Sequence, residues 1–372
     1  MNVLIAPDKF KGTLTARAAA EAIATGWRQG RPGDSLTLLP ISDGGDGFGD
    51  VLGGLLGAKV QTVRTVDAAH RPCRARWWWD PKTRTAIIES ASVIGLAMLP
   101  LDRFHPFALD TWGLGAVLEA AAAQGAKGCL IGIGGSATND GGFGLARALG
   151  WEFLDQQGQA LVEWTDLQRL VHIRRPRRVG WFRDLVIAVD VQNPLLGPRG
   201  ATRVYGPQKG LRSKELPVAE GCLRRLARIV EKETGQTFSR MPGAGAAGGL
   251  GFGLMVFAGA RLEAGFEMFA RRAGLERRLR EAGLVITGEG AIDRSTLMGK
   301  GVGEIARVCG RREIPCLGLA GIVKLPPRSK AFTRLLALGE ITSLEEAHRR
   351  PGFWLTRLAR QAALDWPGIS TV

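Results

Sequence analysis

The residues best suited to chemistry lie in one loop, residues 132–142, which reads GIGGSATNDGG. Its glycines let the backbone approach a ligand closely, because no Cβ is in the way. Ser136, Asn139 and Asp140 add a hydroxyl, an amide and a carboxylate, which supply hydrogen-bond donors, acceptors and charge. A short apolar segment precedes the loop and a helical pattern follows it, an order in which α/β enzymes hold phosphate groups. The loop therefore predicts a phosphate-binding site.

Acidic residues recur directly after segments that are predicted to be strands. They are Asp8, Asp43, Asp46, Asp140, Asp190, Glu289 and Asp293. Ligands of open α/β sheets collect at the carboxyl ends of the strands, where a carboxylate can hold Mg²⁺ or accept a proton from a hydroxyl nucleophile. An Asp at the end of a strand also serves often as a turn former or a helix cap, so each acid alone is compatible with a structural role.

Lysines accompany these acids in the same loops, at Lys11, Lys209 and Lys300. Phosphoryl transfer needs cations and backbone N–H groups to meet the charge of the moving group. Surface lysines are common, so these three become candidates only through their neighbours. The mixture of carboxylates and lysines in glycine-rich loops favours an enzyme that handles phosphate.

A second glycine-rich stretch, residues 243–248, matches the dinucleotide-binding pattern G-x-G-x-x-G. Residues 239–242 precede it and are not an apolar strand, so the structural context of that pattern is missing. We expect a close-packed loop or a helix start near an anion instead. The chain contains neither G-x-x-x-x-G-K-[ST] nor G-x-S-x-G, so ATP would bind without a P-loop and a serine-hydrolase triad has little support.

The composition is that of a folded protein in which basic residues exceed acidic ones. Hydrophobic residues make up 45% and charged residues 23% of the 372 residues, and the formal net charge is +15. This length exceeds what one hydrophobic core usually holds, so two domains are expected. No nucleic-acid-binding module accompanies the arginine-rich segments, so we interpret the charge as a solvated surface that attracts anionic substrates.

The five cysteines show no C-x-x-C pair, which indicates reduced thiols rather than disulfides or a zinc site. No segment has the pattern of a signal peptide, and none has the length and apolarity of a membrane span. We therefore expect a cytoplasmic protein that acts on small molecules, without a nucleic-acid or membrane partner.

Positioning these loops requires the alternation of strands and helices that both ends of the chain show. Predicted buried strands lie at residues 3–6, 36–41, 284–287 and 316–320. The middle is less regular, and its short strands indicate a mixed sheet. The simplest arrangement is an α/β fold in which both chain ends, residues 1–63 and 283–372, build one doubly wound parallel sheet. Residues 64–282 then form an inserted α/β domain.

Taken together, these loops resemble those of the bacterial glycerate kinase family, the type I glycerate kinases. The matching blocks are residues 6–8, 10–12, 43–45, 134–142, 193–201, 206–210, 242–251, 286–290, 292–293 and 299–300. They cover nearly the whole chain, in one order. The resemblance implies a Rossmann-like domain built from both chain ends, an inserted α/β domain and an active site in the cleft between them.

The resemblance also implies a kinase that uses ATP and Mg²⁺ to phosphorylate D-glycerate, with 2-phosphoglycerate favoured over 3-phosphoglycerate as the product. Two alternatives stay open. One is a kinase for a related small hydroxy acid, and the other is a diverged member of the family that binds ligands without catalysis. A homodimer is a further expectation.

Loop chemistry and the resemblance together give each candidate residue a role. The catalytic candidates are Asp190, as general base or metal ligand, with Lys11 and Asp140. Substrate or phosphate would contact Asp8, Gly134, Gly135, Ser136, Asn139, Arg199 and Lys209. The nucleotide would contact Gly245, Gly248, Glu289 and Lys300, and Mg²⁺ would be held by Asp190 and Asp293.

The chain departs from the family pattern at several positions near these loops. Lys9 stands in place of Ser, Asp46 of Glu, Phe48 of Thr, Gln192 of Asp and Met298 of His. Gln192 removes a carboxylate from the loop after Asp190, which would weaken a metal site there. Such changes predict either an altered substrate or reduced activity.

Overall fold

Both ends of the chain contribute strands to one sheet, as the alternation of apolar segments predicts. The computed structural model describes residues 1–100, 103–298, 301–325 and 331–367. The chain divides into two compact units. Met1–Asp43 with Phe266–Val372 form the terminal unit, and Gly44–Gly265 form the inserted unit.

Strands and helices follow one another along the chain, joined in places by single 3₁₀ turns. The strands are β1 (Asn2–Ile5), β2 (Ser35–Leu38), β3 (Lys59–Val66), β4 (Pro72–Asp80), β5 (Thr85–Glu89), β6 (Gly128–Gly132), β7 (Glu152–Leu154), β8 (His172–Arg174), β9 (Asp184–Ala188), β10 (Arg261–Glu263), β11 (Leu284–Ile292), β12 (Cys316–Val323) and β13 (Arg334–Ala337). The helices are α1 (Ala16–Gly30), α2 (Phe48–Leu56), α3 (Ala91–Ile94), α4 (Leu114–Ala123), α5 (Phe143–Ala148), α6 (Ala201–Tyr205), α7 (Leu216–Thr234), α8 (Ala246–Ala258), α9 (Gly265–Arg272), α10 (Leu275–Glu281), α11 (Gly301–Arg311), α12 (Leu344–Arg349) and α13 (Pro351–Leu364).

Within the described residues, the terminal unit contains a five-stranded parallel sheet in the order β13-β12-β11-β1-β2. β1 pairs with β11 in the register that sets Val3 opposite Leu284. Val3, Leu4 and Ile5 are all buried, as expected for a parallel strand that is covered on both faces. This confirms the α/β class and the doubly wound parallel sheet built from both chain ends.

The strand order creates a topological switch point between β1 and β11. From β1 the chain moves to β2 on one side, whereas from β11 it moves to β12 and β13 on the other. The connections after β1 and β11 therefore diverge and leave a crevice at the carboxyl ends of these strands. Open α/β sheets bind their ligands at this kind of crevice.

Helices α1 and α13 come from opposite ends of the sequence and pack against each other. Two glycines of α1 permit this approach. A Cβ on Gly26 would lie 2.1 Å from the carbonyl oxygen of Thr356, and a Cβ on Gly30 would lie 2.7 Å from the Cβ of Ala363. The helix pair covers the sheet and shares its hydrophobic core.

A six-stranded mixed sheet, in the order β10-β9-β6-β5-β4-β3, organises the described part of the inserted unit. β3, β4 and β5 are antiparallel neighbours, whereas β5, β6, β9 and β10 run parallel. A separate antiparallel pair joins β7 to β8. This unit has its own hydrophobic core, so the expected mixed α/β architecture of the middle of the chain is confirmed.

Helix α2 packs on β4 through two glycines that leave no room for a side chain. A Cβ on Gly49 would lie 1.9 Å from the ring of Trp78, and a Cβ on Gly53 would lie 2.4 Å from it. The backbone N–H groups of Gly47 and Gly49 donate to the two carboxylate oxygens of Glu89, at 2.9 and 3.0 Å. This carboxylate caps the N-terminus of α2 and fixes it to the end of β5.

The division of the sequence between the units differs from the boundaries expected after residues 63 and 282. β3 pairs with β4 along its whole length, and α2 also packs on β4, so residues 44–63 group with the inserted unit. Helix α10 contacts β1 in the terminal unit. Strand pairing and helix packing, which periodicity does not reveal, therefore set both boundaries.

Helix α8 begins inside the stretch that the sequence predicts to be a loop. Left-handed backbone at Ala247, Gly248 and Gly249, with φ of 55°, 69° and 88°, interrupts its first turn. The rest of the helix is buried almost throughout. The glycine-rich stretch is therefore part loop and part buried helix.

Two further observations bear on the expected environment. All five cysteines are free thiols. Among the described residues, no helix combines the length and apolarity that crossing a membrane requires.

Candidate active site

A cavity of about 730 Å³ lies in the terminal unit, at the switch point between β1 and β11. Its charged lining residues include Asp8, Lys9, Lys11, Asp43, Glu289 and Asp293. Its apolar lining residues include Ile322, Leu338, Leu344, Ala347 and Pro351. The volume is that of a small-molecule site, and the lining offers both charge and an apolar surface to one ligand.

Backbone pairing with β11 holds Asp8 at the end of β1. The backbone N–H of Asp8 donates to the carbonyl oxygen of Gly288 at 2.8 Å. Gly290 lets the following loop come close, because a Cβ there would lie 3.2 Å from the backbone nitrogen of Lys11. The local sequence of strand, acid and glycine thus positions Asp8 and Lys11 at the carboxyl end of the sheet.

Burial and neighbouring carboxylates disfavour the ionised form of Asp8. Burial raises its pKa to about 7, and the negative charges of Asp43 and Glu289 add to this shift. The backbone N–H of Lys9, 2.7 Å from Oδ1 of Asp8, and the positive charge of Lys9 act in the opposite direction. A cation bound among these groups would relieve the repulsion between the carboxylates.

Glu289 and Asp293 receive hydrogen bonds from the turn that follows β11. The hydroxyl of Thr296 donates to Oε1 of Glu289 at 2.7 Å. The hydroxyl and the backbone N–H of Ser295 donate to Oδ1 of Asp293, at 2.6 and 2.7 Å. These bonds hold both predicted carboxylates in the lining of the cavity. Lys300, which the sequence places beside them, lies outside the described residues.

The donor set of this cavity fits Mg²⁺. Within the described residues, no cluster of three His, Cys, Asp or Glu side chains forms a ready-made metal centre. Mg²⁺ does not need one, because kinases bind it through one or two carboxylates, substrate phosphates and water. Asp8, Asp43 and Asp293 provide carboxylates of this kind in one cavity.

The loop over residues 132–142 begins where β6 ends in the inserted unit. The backbone N–H of Gly134 donates to the carbonyl oxygen of Gly44 at 3.1 Å. Gly135 has a φ of 77°, and a Cβ there would lie 1.9 Å from Oδ1 of Asp46. This position requires glycine on both grounds, and the loop packs against the segment that precedes α2.

Asp140 is fully buried and accepts hydrogen bonds from several parts of the unit. The backbone N–H and the hydroxyl of Thr111 donate to Oδ2 at 3.0 and 2.7 Å, and the backbone N–H of Gly144 donates to it at 2.9 Å. The backbone N–H of Gly142 donates to Oδ1 at 3.2 Å. Burial raises the pKa of Asp140 to about 6, and the charge of Asp110 adds to the shift. This geometry favours a positioning role over contact with substrate.

Lys209 is a buried cation that is bonded to the same loop. It is 7% exposed, and its Nζ donates to Oγ of Ser136 at 2.9 Å and to the carbonyl oxygen of Thr138 at 2.6 Å. Burial lowers the pKa of Lys209 to about 7, while the negative charge of Asp140 opposes the shift. These two hydrogen bonds of Lys209 therefore hold the hydroxyl of Ser136 and the backbone carbonyl of Thr138 in place from the buried side of the loop.

Two buried polar atoms of the loop have no hydrogen-bond partner in the described part of the chain. They are Oγ1 of Thr138 and Oδ1 of Asn139. Asn139 uses its amide nitrogen to donate to the hydroxyl of Thr202 at 3.1 Å. Buried polar atoms without partners are rare. They mark positions where bound water or a ligand group would supply the missing hydrogen bond.

The second glycine-rich stretch packs against the first. A Cβ on Gly248 would lie 1.9 Å from the carbonyl oxygen of Thr138, and the backbone N–H of Gly141 donates to the carbonyl oxygen of Gly248 at 3.1 Å. A Cβ on Gly245 would lie 2.1 Å from the carbonyl oxygen of Pro194. Both glycines serve close packing of backbone on backbone, and their contact with a nucleotide stays a prediction.

Asp190 lies two residues beyond β9 and is half-buried. Asn193 organises the loop that follows it, because its amide nitrogen donates to the carbonyl oxygen of Arg199 at 2.7 Å. The hydroxyl of Tyr205 donates to Oδ1 of Asn193, also at 2.7 Å. The side chains of Arg199 and Lys11 are exposed. The chemical roles expected for these charged residues stay predictions.

The positions that depart from the family pattern have different surroundings. Phe48 is fully buried, and a Cβ on Gly132 would lie 2.7 Å from its ring, so Phe48 belongs to the core of the inserted unit. Gln192 is exposed, and Lys9 lines the terminal-unit cavity. The side chain of Met298 lies outside the described residues.

Sequence reasoning missed Thr111 as part of this arrangement. Besides bonding Asp140, its hydroxyl accepts a hydrogen bond from the backbone N–H of Leu145 at 2.9 Å. Thr111 thereby connects the loop to helix α5. The signal in the sequence is weak, because Thr111 and Asp140 are 29 residues apart and no local spacing relates them.

Comparisons with known proteins agree over nearly the whole chain. The model of the Glycerate kinase family matches residues 3–366. The protein named Glycerate kinase of Bacillus subtilis (strain 168) is 37% identical over 370 residues, which cover 98% of this chain and 97% of the relative. The protein named Glycerate 2-kinase of Escherichia coli (strain K12) is 33% identical over 373 residues, with the same coverage of both chains.

A solved structure agrees with these sequence matches. A crystal structure from Salmonella typhimurium LT2, provisionally named glycerate kinase 2, aligns with a TM-score of 0.82 and 32% sequence identity. The alignment covers 98% of this chain and 97% of that one. Fold, sequence and coverage agree, and the chain therefore belongs to the glycerate kinase family and is a kinase.

Proposed function

We propose that this kinase transfers the γ-phosphoryl group of ATP to a hydroxyl of D-glycerate. The observation that carries the proposal is the terminal-unit cavity, where carboxylates and lysines line a crevice at the switch point of a parallel sheet. Relatives that match over nearly their full length are named glycerate kinases, which supports glycerate as the acceptor. One of them is named Glycerate 2-kinase, which supports 2-phosphoglycerate as the product.

We assign the nucleotide phosphates and Mg²⁺ to the charged lining of this cavity. One or two of the carboxylates of Asp8, Asp43 and Asp293 would hold Mg²⁺, which when bound neutralises phosphate charge and orients the phosphates for transfer. The side chain of Lys11 would bind phosphate oxygens directly. Glu289, fixed by the hydroxyl of Thr296, would accept hydrogen bonds from the nucleotide or from water on the metal.

The apolar lining of the same cavity would take the base of the nucleotide. Leu338, Leu344 and Ala347 offer an uncharged surface beside the carboxylates. A purine ring gains free energy by leaving water for such a surface, at about 25 cal/mol per Å² of apolar area. The phosphates of ATP would therefore be bound by charged side chains, and its purine ring by apolar contact.

The loop over residues 132–142 would bind the acceptor or the transferred phosphate. The backbone N–H of Gly135 and the hydroxyl of Ser136 are its candidate ligand contacts, whereas the backbone N–H of Gly134 already donates to Gly44. Lys209 fixes the orientation of Ser136, and Asp140 fixes the turn that follows. Donors held in place before the reaction stabilise developing charge without reorganisation, which is the larger part of catalysis in phosphoryl transfer.

Asp190 would act as the general base that accepts the proton of the glycerate hydroxyl. It is half-buried at the carboxyl end of a parallel strand, and the hydrogen bonds of Asn193 hold the loop that follows it. A carboxylate in this position could instead serve as a metal ligand, and Gln192 beside it supplies an amide where a second carboxylate would strengthen such a site. We assign the base role first.

A coupled assay of ADP release tests the proposed reaction. With Mg²⁺-ATP we expect turnover of D-glycerate, and at least about tenfold lower kcat/KM with L-glycerate, glycolate and D-lactate. Phosphorus NMR of the product should show 2-phosphoglycerate. Turnover of another hydroxy acid alone would replace D-glycerate as the substrate. Absence of turnover with thermal stabilisation by nucleotide would replace catalysis with ligand binding.

We also propose that the enzyme works in the cytoplasm on small molecules. The free thiols support this, because cysteines in oxidising compartments are usually paired. A homodimer is the proposed assembly, and light scattering coupled to size-exclusion chromatography would measure it.

A further inference from the structure

A second cavity, of about 620 Å³, opens in the inserted unit beside helix α7. Three arginines line it, Arg224, Arg228 and Arg240, together with the hydroxyl-bearing Ser239. None of the residues that line it is a candidate active-site residue. The cavity is therefore distinct from the proposed active site.

Two elements bring the arginines to one place. Arg224 and Arg228 are four residues apart on α7, so they lie on the same face of the helix. Arg240 ends a 3₁₀ turn over Phe238–Arg240. The backbone N–H of Leu195 donates to the carbonyl oxygen of Ser239 at 2.9 Å and joins this turn to the loop before α6.

Carboxylates balance these arginines only in part. Within the described residues, no carboxylate lies within 4.0 Å of the guanidinium of Arg228 or Arg240. Arg224 approaches Glu220 at 3.6 Å. Some exposed arginines elsewhere are paired more closely, as with Arg174 and Glu152 at 2.7 Å. Two of the three arginines that line this concave surface, Arg228 and Arg240, therefore have no ion-pair partner among the described residues.

The remaining lining limits the chemistry of a ligand. Leu196 and Ala227 provide apolar contact for a carbon skeleton. Glu231 also lines the cavity, and its Oε1 accepts a hydrogen bond from the hydroxyl of Thr237 at 2.6 Å. A carboxylate at this place favours a ligand that carries hydroxyl donors as well as an anionic group.

We propose that this cavity binds a small hydroxylated organic phosphate, held through its phosphate by Arg228 and Arg240. Guanidinium groups bind phosphate oxygens in a planar, two-pronged geometry, which makes arginine the preferred residue for this ligand. The volume suits a molecule of the size of a sugar phosphate. Glu231, three residues beyond Arg228 on α7, accepts hydrogen bonds from the hydroxyl groups of the ligand.

Binding here would act on the loop that follows Asp190. Pro194 and Gly197 belong to that loop and also line the cavity. The backbone N–H of Gly197 donates to Oε1 of buried Glu220 at 2.8 Å, so the loop is already fixed to α7. A ligand that contacts both α7 and this loop would reduce opening of the loop, and the hydrogen exchange of residues 193–200 should slow.

Isothermal titration with glucose 6-phosphate tests the site, in the absence of Mg²⁺ and nucleotide, with glucose and inorganic phosphate as comparisons. We expect glucose 6-phosphate to bind at least about tenfold more tightly than glucose, because charge-assisted hydrogen bonds carry the affinity. The variants Arg228→Gln and Arg240→Gln should each weaken binding by about fivefold or more, and the double variant should also lose the slowing of hydrogen exchange.

Lys232→Gln is the matched control, because Lys232 is an exposed cation on α7 that does not line the cavity. It should change the affinity less than about twofold. Equal affinity of the wild type and the double variant would overturn the site, as would absence of binding by the wild type. Equal affinity for inorganic phosphate and glucose 6-phosphate would overturn the assignment of an organic ligand.

Discussion

At the scale of single residues, the buried amine of Lys209 makes stability depend on pH. Its pKa is about 7 in the folded protein and 10.5 ordinarily. Between these values the unfolded chain binds a proton that the folded protein does not, so the contribution of Lys209 to the free energy of unfolding rises with pH. From pH 7 to pH 9, the difference in free energy of unfolding between the wild type and Lys209→Met should shift in favour of the wild type. Urea denaturation at several pH values measures it.

The control for Lys209 is Lys232→Met, which removes an exposed lysine from α7. The free energy of unfolding of this variant should follow the wild type at every pH, because the substitution removes no buried group. If the profiles of the wild type and Lys209→Met were parallel instead, the amine of Lys209 would have to titrate as it does in water.

Asp190 is the residue on which the proposed proton transfer depends. Asp190→Asn keeps the size of the side chain and removes the base, so kcat should fall by about 10²-fold or more while KM for D-glycerate changes little. Asp184→Asn, at the exposed start of β9, is the control and should keep near-normal kcat. A near-normal kcat for Asp190→Asn would remove this residue as the base.

Residue type alone did not separate the acids that line a cavity from those that hold the backbone. Asp140 and Asp293 both follow glycine-rich or strand segments, and both looked suited to substrate or metal. Asp140 is buried in the structure and accepts four hydrogen bonds, whereas Asp293 lines a cavity. The difference comes from Thr111 and Gly144 packing around Asp140, and long-range packing of this kind leaves no trace in local spacing.

At the scale of elements, the contact between α1 and α13 depends on glycine. In Gly26→Ala the new Cβ would lie 2.1 Å from the carbonyl oxygen of Thr356, so the helices must separate. Overpacking of this kind typically costs about 1–3 kcal/mol. We expect a loss of that size in the free energy of unfolding, as measured by urea denaturation.

Gly310→Ala in helix α11 is the matched control, because a Cβ there meets nothing within 4 Å. It should leave stability unchanged or raise it by about 0.4–1 kcal/mol through the lower entropy of the unfolded chain. Equal destabilisation by both substitutions would show that helix propensity, rather than the close approach of α1 and α13, sets the effect.

Strands were predictable where burial is continuous, as at residues 3–6 and 284–287. Their partners were not, and β3 is the clearest case. This strand spans Lys59–Val66. Its antiparallel pairing with β4 groups it with the inserted unit. A period of two identifies a strand, but neighbouring strands are chosen by packing between segments that are distant in sequence.

At the scale of the whole molecule, the net charge of +15 should act on substrate capture. Both proposed substrates are anions, and a positive field raises their concentration near the protein. Because salt screens this field, KM for D-glycerate and ATP should rise as NaCl increases from 20 to 300 mM, while kcat at saturation should change little. A salt-independent KM would show that local contacts alone set affinity.

The terminal unit also has a consequence for how the chain is made. β1 leaves the ribosome long before its neighbour β11, which begins at Leu284. At the usual rate of synthesis, β1 and β2 must wait on the order of ten seconds to a minute before that neighbour exists. The inserted unit, whose strands are consecutive or nearly so, can complete its own core during this interval. During synthesis the inserted unit should therefore fold first. The pairing of β1 with β11, which completes the sheet of the terminal unit, should form last.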